Sequence, residues 1–428
     1  MPADSPIARR AWIAVIGPGI LIAATGVGAG DLATGAFAGS KLGVAVLWAV
    51  ALGAGIKFVL TEGLARWQLV TGETLLEGAI RRLGPIARYF FITYFLVWSF
   101  SVGSSLISAC GVAAHALFPV FDDPVRAKMI WGALHSLVAL GLVLAGSFRL
   151  FEWTMSLCIG LMFLLVVLTA VLIGPDWPAV LQGLFVPRIP AYAPAGVDEG
   201  ATWTLALMGG VGGTLTVLSY GYWIREEGRA DAGAIRLCRI DLGVAYAATA
   251  LFGMSMVIIA SAIDLERQPS AQLVVSLGDQ LGGVAGPAGR LLFLVGAWAA
   301  MFSSMLGVWQ STPYLFADYL RITRPGPGRD RVDIRSTPYR AYLVGIATIP
   351  MVGLFYNFEL VQKLNAVYGA LVMPMLALTL FLLNRKPGWM GVHRNRPLTT
   401  LILIGTLLFF AFIGMPELAG AIKGLFGS

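Results

Sequence analysis

The sequence predicts an all-α integral membrane protein formed by a single transmembrane domain, and three observations lead to this fold class. The 428 residues are 57% hydrophobic and only 12% charged, with a mean hydropathy of +0.79, whereas a soluble domain carries about 25% charged residues. Apolar runs of about 20 residues, enough to cross a bilayer as a helix, recur along the chain. The 52 glycines are typical of membrane helices that pack closely or are interrupted. Together these features argue against a soluble enzyme, a nucleic-acid binder and a disordered scaffold.

Eleven apolar runs predict eleven membrane spans. Several runs exceed 20 residues, so we expect tilted helices or helices that extend beyond the bilayer. The longest loop, residues 174–199, contains five prolines and predicts either an extended cap or a gate. The runs cover residues 12–40, 43–69, 86–118, 128–146, 150–173, 200–223, 237–262, 286–320, 340–356, 360–384 and 398–416.

The positions of Lys and Arg predict the orientation of these spans. When the N-terminus and every second loop are assigned to one side, that side carries 21 of the 30 basic residues, the other side carries 8, and Lys57 lies within a span. Cytoplasmic loops of membrane proteins are enriched in Lys and Arg. We therefore expect an integral plasma (inner) membrane protein with its N-terminus in the cytoplasm and its C-terminus outside.

Cysteine and histidine are too scattered to predict a disulfide framework, a soft-metal site or a resident cofactor. The cysteines lie within or beside apolar runs, and the histidines lie near span ends or in a loop. The predicted partners are therefore the lipid bilayer and an ion or small-molecule substrate, with no nucleic acid among them. The residues concerned are Cys110, Cys158, Cys238, His115, His135 and His393.

Two glycine-rich stretches predict that the first and sixth spans are broken in mid-membrane. Residues 25–31 read TGVGAGD and residues 209–214 read GGVGGT, five spans apart. Each glycine lowers helix propensity by about 1 kcal/mol. Paired interruptions at corresponding positions indicate an inverted-repeat transporter with its site at the midplane. The alternative is that the glycines only allow close helix packing.

A set of short motifs spread along the chain indicates a family relationship. The motifs are Gly17-Pro18-Gly19, Ala38-Gly39-Ser40, Arg66, Thr71-Gly72, Leu76-Glu77, Arg149, Glu152 and Phe302-Ser303-Ser304. With these residues the chain resembles the Nramp family of divalent metal transporters over nearly its whole length. The resemblance implies the LeuT/APC-type fold, in which two inverted five-helix repeats, here about 12–173 and 200–384, are followed by an eleventh helix at about 398–416. It also implies a secondary transporter with alternating access, not an enzyme.

Several positions differ from the residues that the family uses to bind metal. The family's metal-binding Asp and its Asn in the first span correspond to Gly28 and Asp31. The family's Met and His in the sixth span correspond to Thr216 and Leu218. The third span contains no acid between residues 84 and 120, although the family uses acidic residues there for proton passage. The resemblance therefore implies a divergent member that lacks the usual metal-binding motif.

The polar groups left near the two breaks are oxygen donors. Hard cations such as Mg²⁺ take oxygen ligands, whereas soft or borderline metals prefer imidazole and thiolate. We therefore expect a site that suits Mg²⁺ better than Mn²⁺ or Fe²⁺, with Asp31 as its side-chain metal ligand if it has one. The candidate substrate-binding residues are Thr25, Gly28, Asp31, Gly213, Thr214, Thr216 and Ser219.

Lys57 is a charged residue midway along the second span. A charge at the bilayer centre costs at least about 2.5–3.5 kcal/mol and is a hypothesis of function. Its predicted partner is Asp31 or Glu62. A structural ion pair and a snorkelling lysine are the alternatives. If the ammonium reaches the cavity, it could take the place of a bound cation and adapt the protein to a neutral or anionic solute.

These observations leave two substrate classes open for a transporter. The resemblance favours a divalent metal cation. The missing metal ligands favour a small organic solute that does not depend on metal, because helix N-termini at the breaks could hold a carboxylate. A non-transporting membrane sensor on the same scaffold is a third hypothesis. A thermal-shift screen against metals and organic solutes separates them, because a ligand of the folded state raises the melting temperature.

Overall fold

A computed structural model shows an all-helical bundle. It describes Gly19, Gly28 and residues 30–145, 149–193, 198–263, 270–324 and 332–414, with backbone alone for residues 149–156 and 158. Thr25 and both chain termini lie outside the described residues. The α-helices are α1 (Gly35–Leu42), α2 (Leu47–Thr71), α3 (Leu75–Leu83), α4 (Pro85–Leu117), α5 (Pro124–Ala145), α6 (Arg149–Leu172), α7 (Trp177–Phe185), α8 (Gly200–Gly210), α9 (Ser219–Glu226), α10 (Ile235–Ala260), α11 (Leu273–Thr323), α12 (Thr337–Thr348), α13 (Phe358–Ala370), α14 (Val372–Asn384), α15 (Pro387–Met390) and α16 (Pro397–Phe409).

Short 3₁₀ and π segments join or extend these helices. Two of them matter most for the site, because one precedes α1 and another lies between α8 and α9. The π segments are Gly30–Thr34 and Phe410–Gly414, and the 3₁₀ segments are Gly43–Val46, Leu215–Leu218, Ala232–Ala234, Ser270–Gln272, Ile349–Phe355 and Gly391–His393.

The predicted spans correspond to helices of the bundle. Within the described residues, eight helical stretches are long and apolar enough to cross a membrane, and a ninth is counted if the bent pair α6 and α7 is one span. The first predicted span is described only from Gly30 onward, apart from Gly19 and Gly28. The ninth predicted span, residues 340–356, corresponds to α12 continued by the 3₁₀ segment Ile349–Phe355.

One sequence-based boundary is supported and another needs correction. The eighth span was predicted from residue 286, and α11 (Leu273–Thr323) is interrupted at that position, because Gly286 has a non-helical φ of 71°. The loop 174–199 was predicted as an extended cap or a gate, but part of it forms α7. The side chain of Asp176 accepts a hydrogen bond from the backbone N–H of Ala179, and Pro178 lies in the first turn, where its fixed φ favours a helix start.

The centre of the bundle is formed where α2, α8 and α13 approach one another closely. Gly53 of α2 lies against α8, since a Cβ built there would come within 2.9 Å of the Met208 carbonyl oxygen. Gly209 of α8 lies against α13, where a Cβ would come within 2.6 Å of the Ala366 carbonyl oxygen. Helices in a membrane gain stability from such close packing of small residues. This packing fixes the end of α8 in the interior.

Apolar side chains cover the outside of the bundle. Leu164 on α6 and Leu401 on α16 are 64% and 66% exposed, and both point away from the core. Such an apolar exterior would be unfavourable in water and is the expected surface of a protein solvated by lipid tails. The exterior therefore agrees with the membrane environment that the composition predicts.

Candidate functional site

The sixth span is broken between α8 and α9. α8 ends at Gly210, the next four residues are not helical, and the 3₁₀ segment Leu215–Leu218 leads into α9. Gly212 and Gly213 have φ values of 77° and 80°, in the left-handed region that glycine adopts without a steric penalty. The local sequence thus turns the chain out of its helix and frees backbone carbonyls in the interior.

Lys57 of α2 reaches into this break. Its ammonium group donates hydrogen bonds to the carbonyl oxygens of Gly209 at 2.8 Å, of Gly213 at 2.5 Å and of Val211. We call these three oxygens the carbonyl cage. An ammonium group has three N–H donors, so the cage satisfies all of them. The Lys57 side chain is only 2% exposed.

Asp31 lies beside the same break. It belongs to the π segment that precedes α1, is fully buried, and accepts a hydrogen bond at 3.1 Å from the backbone N–H of Gly212. Its other carboxylate oxygen, Oδ2, has no hydrogen-bond partner among the described residues. Lys57 attracts this carboxylate electrostatically, although its direct partners are the three carbonyls. The structure therefore places the two intramembrane charges at one site.

Glu62, the other predicted partner of Lys57, does not take that role. Its carboxylate binds Arg66 one helical turn along α2 at 3.3 Å and Arg239 of α10 at 2.8 Å. Lys57 and Glu62 are five residues apart and therefore point in different directions on the helix. Of the two predicted partners of Lys57, the structure therefore favours Asp31 over Glu62.

The first span crosses the sixth at its glycines. A Cβ built on Gly30 would lie 3.1 Å from the carbonyl oxygen of Gly210, so the two backbones nearly touch. A Cβ built on Gly28 would lie 2.1 Å from the hydroxyl of Ser304 on α11. Gly28 thus has no room for a side chain unless Ser304 moves. Thr25, a further candidate, lies outside the described residues.

The other candidate residues line the far side of the break. The hydroxyl of Thr214 accepts a hydrogen bond at 2.8 Å from the indole N–H of Trp98 on α4. Thr216 is buried in the 3₁₀ segment, and Ser219 at the start of α9 is buried with no hydrogen-bond partner for its hydroxyl within the described ranges. The segment that follows the break therefore carries three buried hydroxyl groups.

A polar cluster next to the site was missed by sequence reasoning. Ser105 of α4 donates to the side-chain oxygen of Gln362 at 2.7 Å, and the amide group of Gln362 donates back to the Ser105 carbonyl at 2.9 Å. Asn365 donates to the Ser105 hydroxyl at 3.2 Å. The signal was two amides three residues apart within an apolar run, which places them on one face of α13. This cluster fixes α13 against α4.

Charged clusters lie towards the two ends of the bundle. The Arg321 cluster, at the C-terminal end of α11, joins Arg321 to Glu77 and to Asp318, and Asp318 accepts from Tyr222 at 2.6 Å. Burial raises the pKa of Glu77, but the hydrogen bonds from Arg321 and the Thr74 backbone lower it by a larger amount. The pKa of Glu77 therefore lies below its ordinary value. The net effect favours the ionised carboxylate.

The Lys41 cluster lies at the opposite end, before the N-terminus of α2. The ammonium group of Lys41 donates to the hydroxyl of Tyr192 at 2.7 Å and pairs with Glu359 at 3.1 Å. A second pair joins Lys363 and Glu199 at 2.6 Å. The central site is therefore enclosed between two ends that are each held by ion pairs.

The donor atoms at the centre decide which ligands the site can hold. Among the described residues, no group of three or more His, Cys, Asp and Glu side chains lies close enough to hold a metal ion. The centre instead offers one carboxylate, several hydroxyls and the carbonyl cage. Such oxygen atoms suit hard cations or the donors of a polar solute.

An all-helical bundle with a broken sixth span and a buried central site matches the fold of solved LeuT-type structures, and the fold class predicted from the sequence is confirmed. The chain belongs to the Nramp family, because the family described as "Natural resistance-associated macrophage protein-like" matches residues 19–418. The predicted family is thus also confirmed. As a member of a transporter family, the chain is not an enzyme.

Individual relatives agree with this assignment. The divalent metal cation transporter MntH of Bacillus subtilis is 27% identical over 310 residues, covering 69% of this chain and 68% of that protein. MntH of Verminephrobacter eiseniae is 24% identical over 428 residues, covering 96% and 91%. A crystal structure of the Eremococcus coleocola manganese transporter, in a mutant form, matches with a TM-score of 0.76 at 16% identity, covering 100% of this chain and 90% of that one.

The same fold occurs in a protein whose structure contains a bound amino acid. MhsT in complex with L-phenylalanine matches with a TM-score of 0.59 and 17% identity, covering 94% of this chain and 98% of that one. At such identities the structural matches establish the fold alone. The substrate must be argued from the site.

Proposed function

We propose that this Nramp-family protein is a secondary transporter that works by alternating access and carries a divalent metal cation, favouring a hard ion such as Mg²⁺ over Mn²⁺ or Fe²⁺. The observation that carries the proposal is the broken sixth span, whose freed carbonyls lie beside the buried carboxylate of Asp31. The family relationship supports a metal, because curated relatives are named divalent metal cation transporters. The oxygen donors support a hard ion.

Unsatisfied oxygen atoms identify where an ion could be held. Asp31 Oδ2 and the hydroxyls of Thr34 and Ser219 are buried without hydrogen-bond partners in the described part of the chain. A buried polar atom with no partner costs free energy, so binding a cation through these oxygens would be favourable. Because Mg²⁺ keeps several of its waters when it binds a protein, one carboxylate with hydroxyls and waters is a reasonable set of ligands.

The two charged clusters support alternating access. Both central charges are inaccessible, since Asp31 is fully buried and Lys57 only 2% exposed. Opening the site to either side requires one end to separate, and ion pairs such as Lys41–Glu359 can break and reform.

We place the Arg321 cluster on the cytoplasmic side, because the basic loops predict that orientation. Labelling of cysteines introduced at residues 1 and 428 from each side of the membrane tests this orientation. Finding both termini on one side would contradict the prediction of eleven spans.

Ion uptake into proteoliposomes tests the proposed function. The wild-type protein should take up Mg²⁺ in preference to Mn²⁺ and Cd²⁺, and Asp31→Asn should reduce uptake by about tenfold or more, because the site loses its carboxylate. Asp279→Asn is the matched control, since Asp279 is 60% exposed and pairs with Arg290. Preference for Mn²⁺ with micromolar binding would contradict the proposed selectivity.

A small organic solute is the second candidate, and Lys57 is the observation that favours it. The ammonium group fills the carbonyl cage and balances the charge of Asp31, so the site attracts a divalent cation less strongly than a bare carboxylate would. A thermal-shift screen of the purified protein with amino acids and metals separates the candidates. A rise in melting temperature with an organic solute but with no metal would favour this alternative.

A further inference from the structure

The carbonyl cage is a cation site occupied by part of the protein itself. Three backbone oxygens converge on one ammonium group, and a carboxylate lies beside it. Backbone carbonyls and carboxylates are the ligands that hard metal ions take in proteins. Lys57 therefore occupies, through a covalent tether, the place where a free cation would be bound.

A transported cation and the Lys57 ammonium cannot share this cage. Two positive charges a few ångströms apart in a buried site repel each other strongly, and the ammonium already lies between the three oxygens, within hydrogen-bonding distance of each. The lysine side chain is a flexible four-carbon stem that ends in a compact charge. It can leave the cage when a cation enters and return when the cation departs.

An empty cage would be costly after the cation has been released. Without a cation, the buried Asp31 carboxylate and three unpaired carbonyls would face each other in a site of low polarity. In that state the unloaded transporter would occlude its site less readily, and it must do so in order to reorient. With Lys57 back in the cage, every oxygen of the cage is satisfied, which is the arrangement that the structure displays.

We infer that Lys57 is a tethered counter-cation that refills the carbonyl cage of Gly209, Val211 and Gly213 when the transported cation leaves, and so allows the unloaded carrier to reorient. This inference rests on the proposed function, because it assumes that a cation is carried. It assigns Lys57 to the return step of the transport cycle. The loaded carrier does not need Lys57 in the cage.

Comparing net uptake with exchange tests this role. In proteoliposomes, the wild-type protein should perform both net uptake of Mg²⁺ and exchange of external for internal isotopically labelled Mg²⁺. Lys57→Met should keep exchange, because the loaded carrier still crosses, but should lose net uptake by about tenfold or more, because the unloaded carrier cannot return. A merely structural lysine would affect both processes equally, and equal losses or no loss would overturn the inference.

The same variant should bind cations more tightly. With the cage vacant, Mg²⁺ should raise the melting temperature of Lys57→Met more than that of the wild-type protein. Lys386→Met is the control, because Lys386 is an exposed residue outside the Lys41 and Arg321 clusters, and its response should match the wild type. An equal response to Mg²⁺ in Lys57→Met and wild type would overturn the competition.

A measurement on the wild-type protein keeps the inference falsifiable if Lys57→Met does not fold. Mg²⁺ should drive the ammonium group out of the cage, so a water-soluble amidinating reagent should modify Lys57 several-fold faster with Mg²⁺ present, as read by mass spectrometry. The exposed Lys386 is the internal reference. Unchanged modification would overturn the inference. A wild-type protein that carries no divalent ion would instead overturn the proposed function, while the thermal response of Lys57→Met would still decide the competition for the cage.

Discussion

Lys57 and Arg321 are both cations held inside the bundle, but they are held by different partners. Arg321 binds two carboxylates, those of Glu77 and Asp318. Lys57 donates hydrogen bonds to three backbone carbonyls, and it interacts with Asp31 electrostatically without a direct bond. A guanidinium forms directed, multiple bonds to carboxylates, whereas an ammonium is a flexible point charge.

This difference indicates which cation is fixed and which can be exchanged. The Arg321 cluster is held by ion pairs between side chains of the protein. These contacts join α3, α9 and α11. The carbonyl cage is a set of dipoles that accepts any cation of suitable size. The protein therefore has a structural cation towards one end and a replaceable one at its centre.

Removing the central charges should produce the largest effect on stability. Lys57→Met strands Asp31 in the interior and should cost about 3–5 kcal/mol, and Asp31→Asn should also destabilise the protein. The double variant should regain much of the loss, because neither charge is left alone. Melting temperatures in detergent without divalent ions measure this cycle, and additive losses would show that the two residues do not interact.

The exposed pair of Arg290 and Asp279 provides the control for that cycle. Its atoms are 2.7 Å apart, yet the two side chains are 41% and 60% exposed. Solvent screens such pairs, so removing either partner should change stability by less than about 1 kcal/mol. If the coupling energy between Arg290 and Asp279 were as large as that between Lys57 and Asp31, burial would not explain the strength of the central interaction.

Glu77→Gln should weaken the Arg321 cluster by about 2 kcal/mol, because Arg321 loses one of its two charged acceptors. In the wild-type protein the Thr74 backbone N–H donates a capping hydrogen bond of 2.9 Å to Glu77. Gln can accept the same hydrogen bond, so α3 should still begin at Leu75. The folded-state pKa of Glu77 lies below its ordinary value of 4.5. Its stabilisation is therefore complete above about pH 4.5 and is lost as the pH falls through the folded pKa.

The pH dependence of the melting temperature checks this assignment. Glu77→Gln should lose less stability than the wild type on acidification below about pH 4.5, since it has no proton to take up at this position. Identical acid profiles for the two proteins would show that the Glu77 carboxylate does not stabilise the cluster.

Gly212→Ala should distort the carbonyl cage and cost about 1–2 kcal/mol, because a residue with a Cβ is strained at a φ of 77°. The new methyl group would also lie 3.0 Å from the Tyr246 ring. Gly55→Ala is the control, since a Cβ at Gly55 meets nothing within 4 Å in α2, and alanine favours the helix. A Gly212→Ala variant as stable and as active as Gly55→Ala would contradict the need for this turn.

The comparison also shows how much of the molecule could be predicted from its sequence. The spans followed from apolar length, and the break of the sixth span followed from its glycines, because both depend on local properties of the chain. The direction of Lys57 could not be predicted, since the sequence gives its depth in the membrane but not the carbonyls across from it. Gln362 and Asn365 were missed because an apolar run hides single polar residues. Those contacts depend on tertiary packing.

The smallest predicted effect concerns the neutral bond that supports the break. Trp98 and Trp309 are both fully buried, but the Trp98 indole donates to Thr214 at 2.8 Å, whereas the Trp309 indole N–H has no partner in the described structure. Replacing either with Phe removes a similar volume from the core. Trp98→Phe should therefore destabilise the protein by about 1 kcal/mol more than Trp309→Phe, because it also leaves the Thr214 hydroxyl without its donor. Equal melting temperatures for the two variants would show that this bond does not hold the break, and the positive-φ glycines alone would then account for its shape.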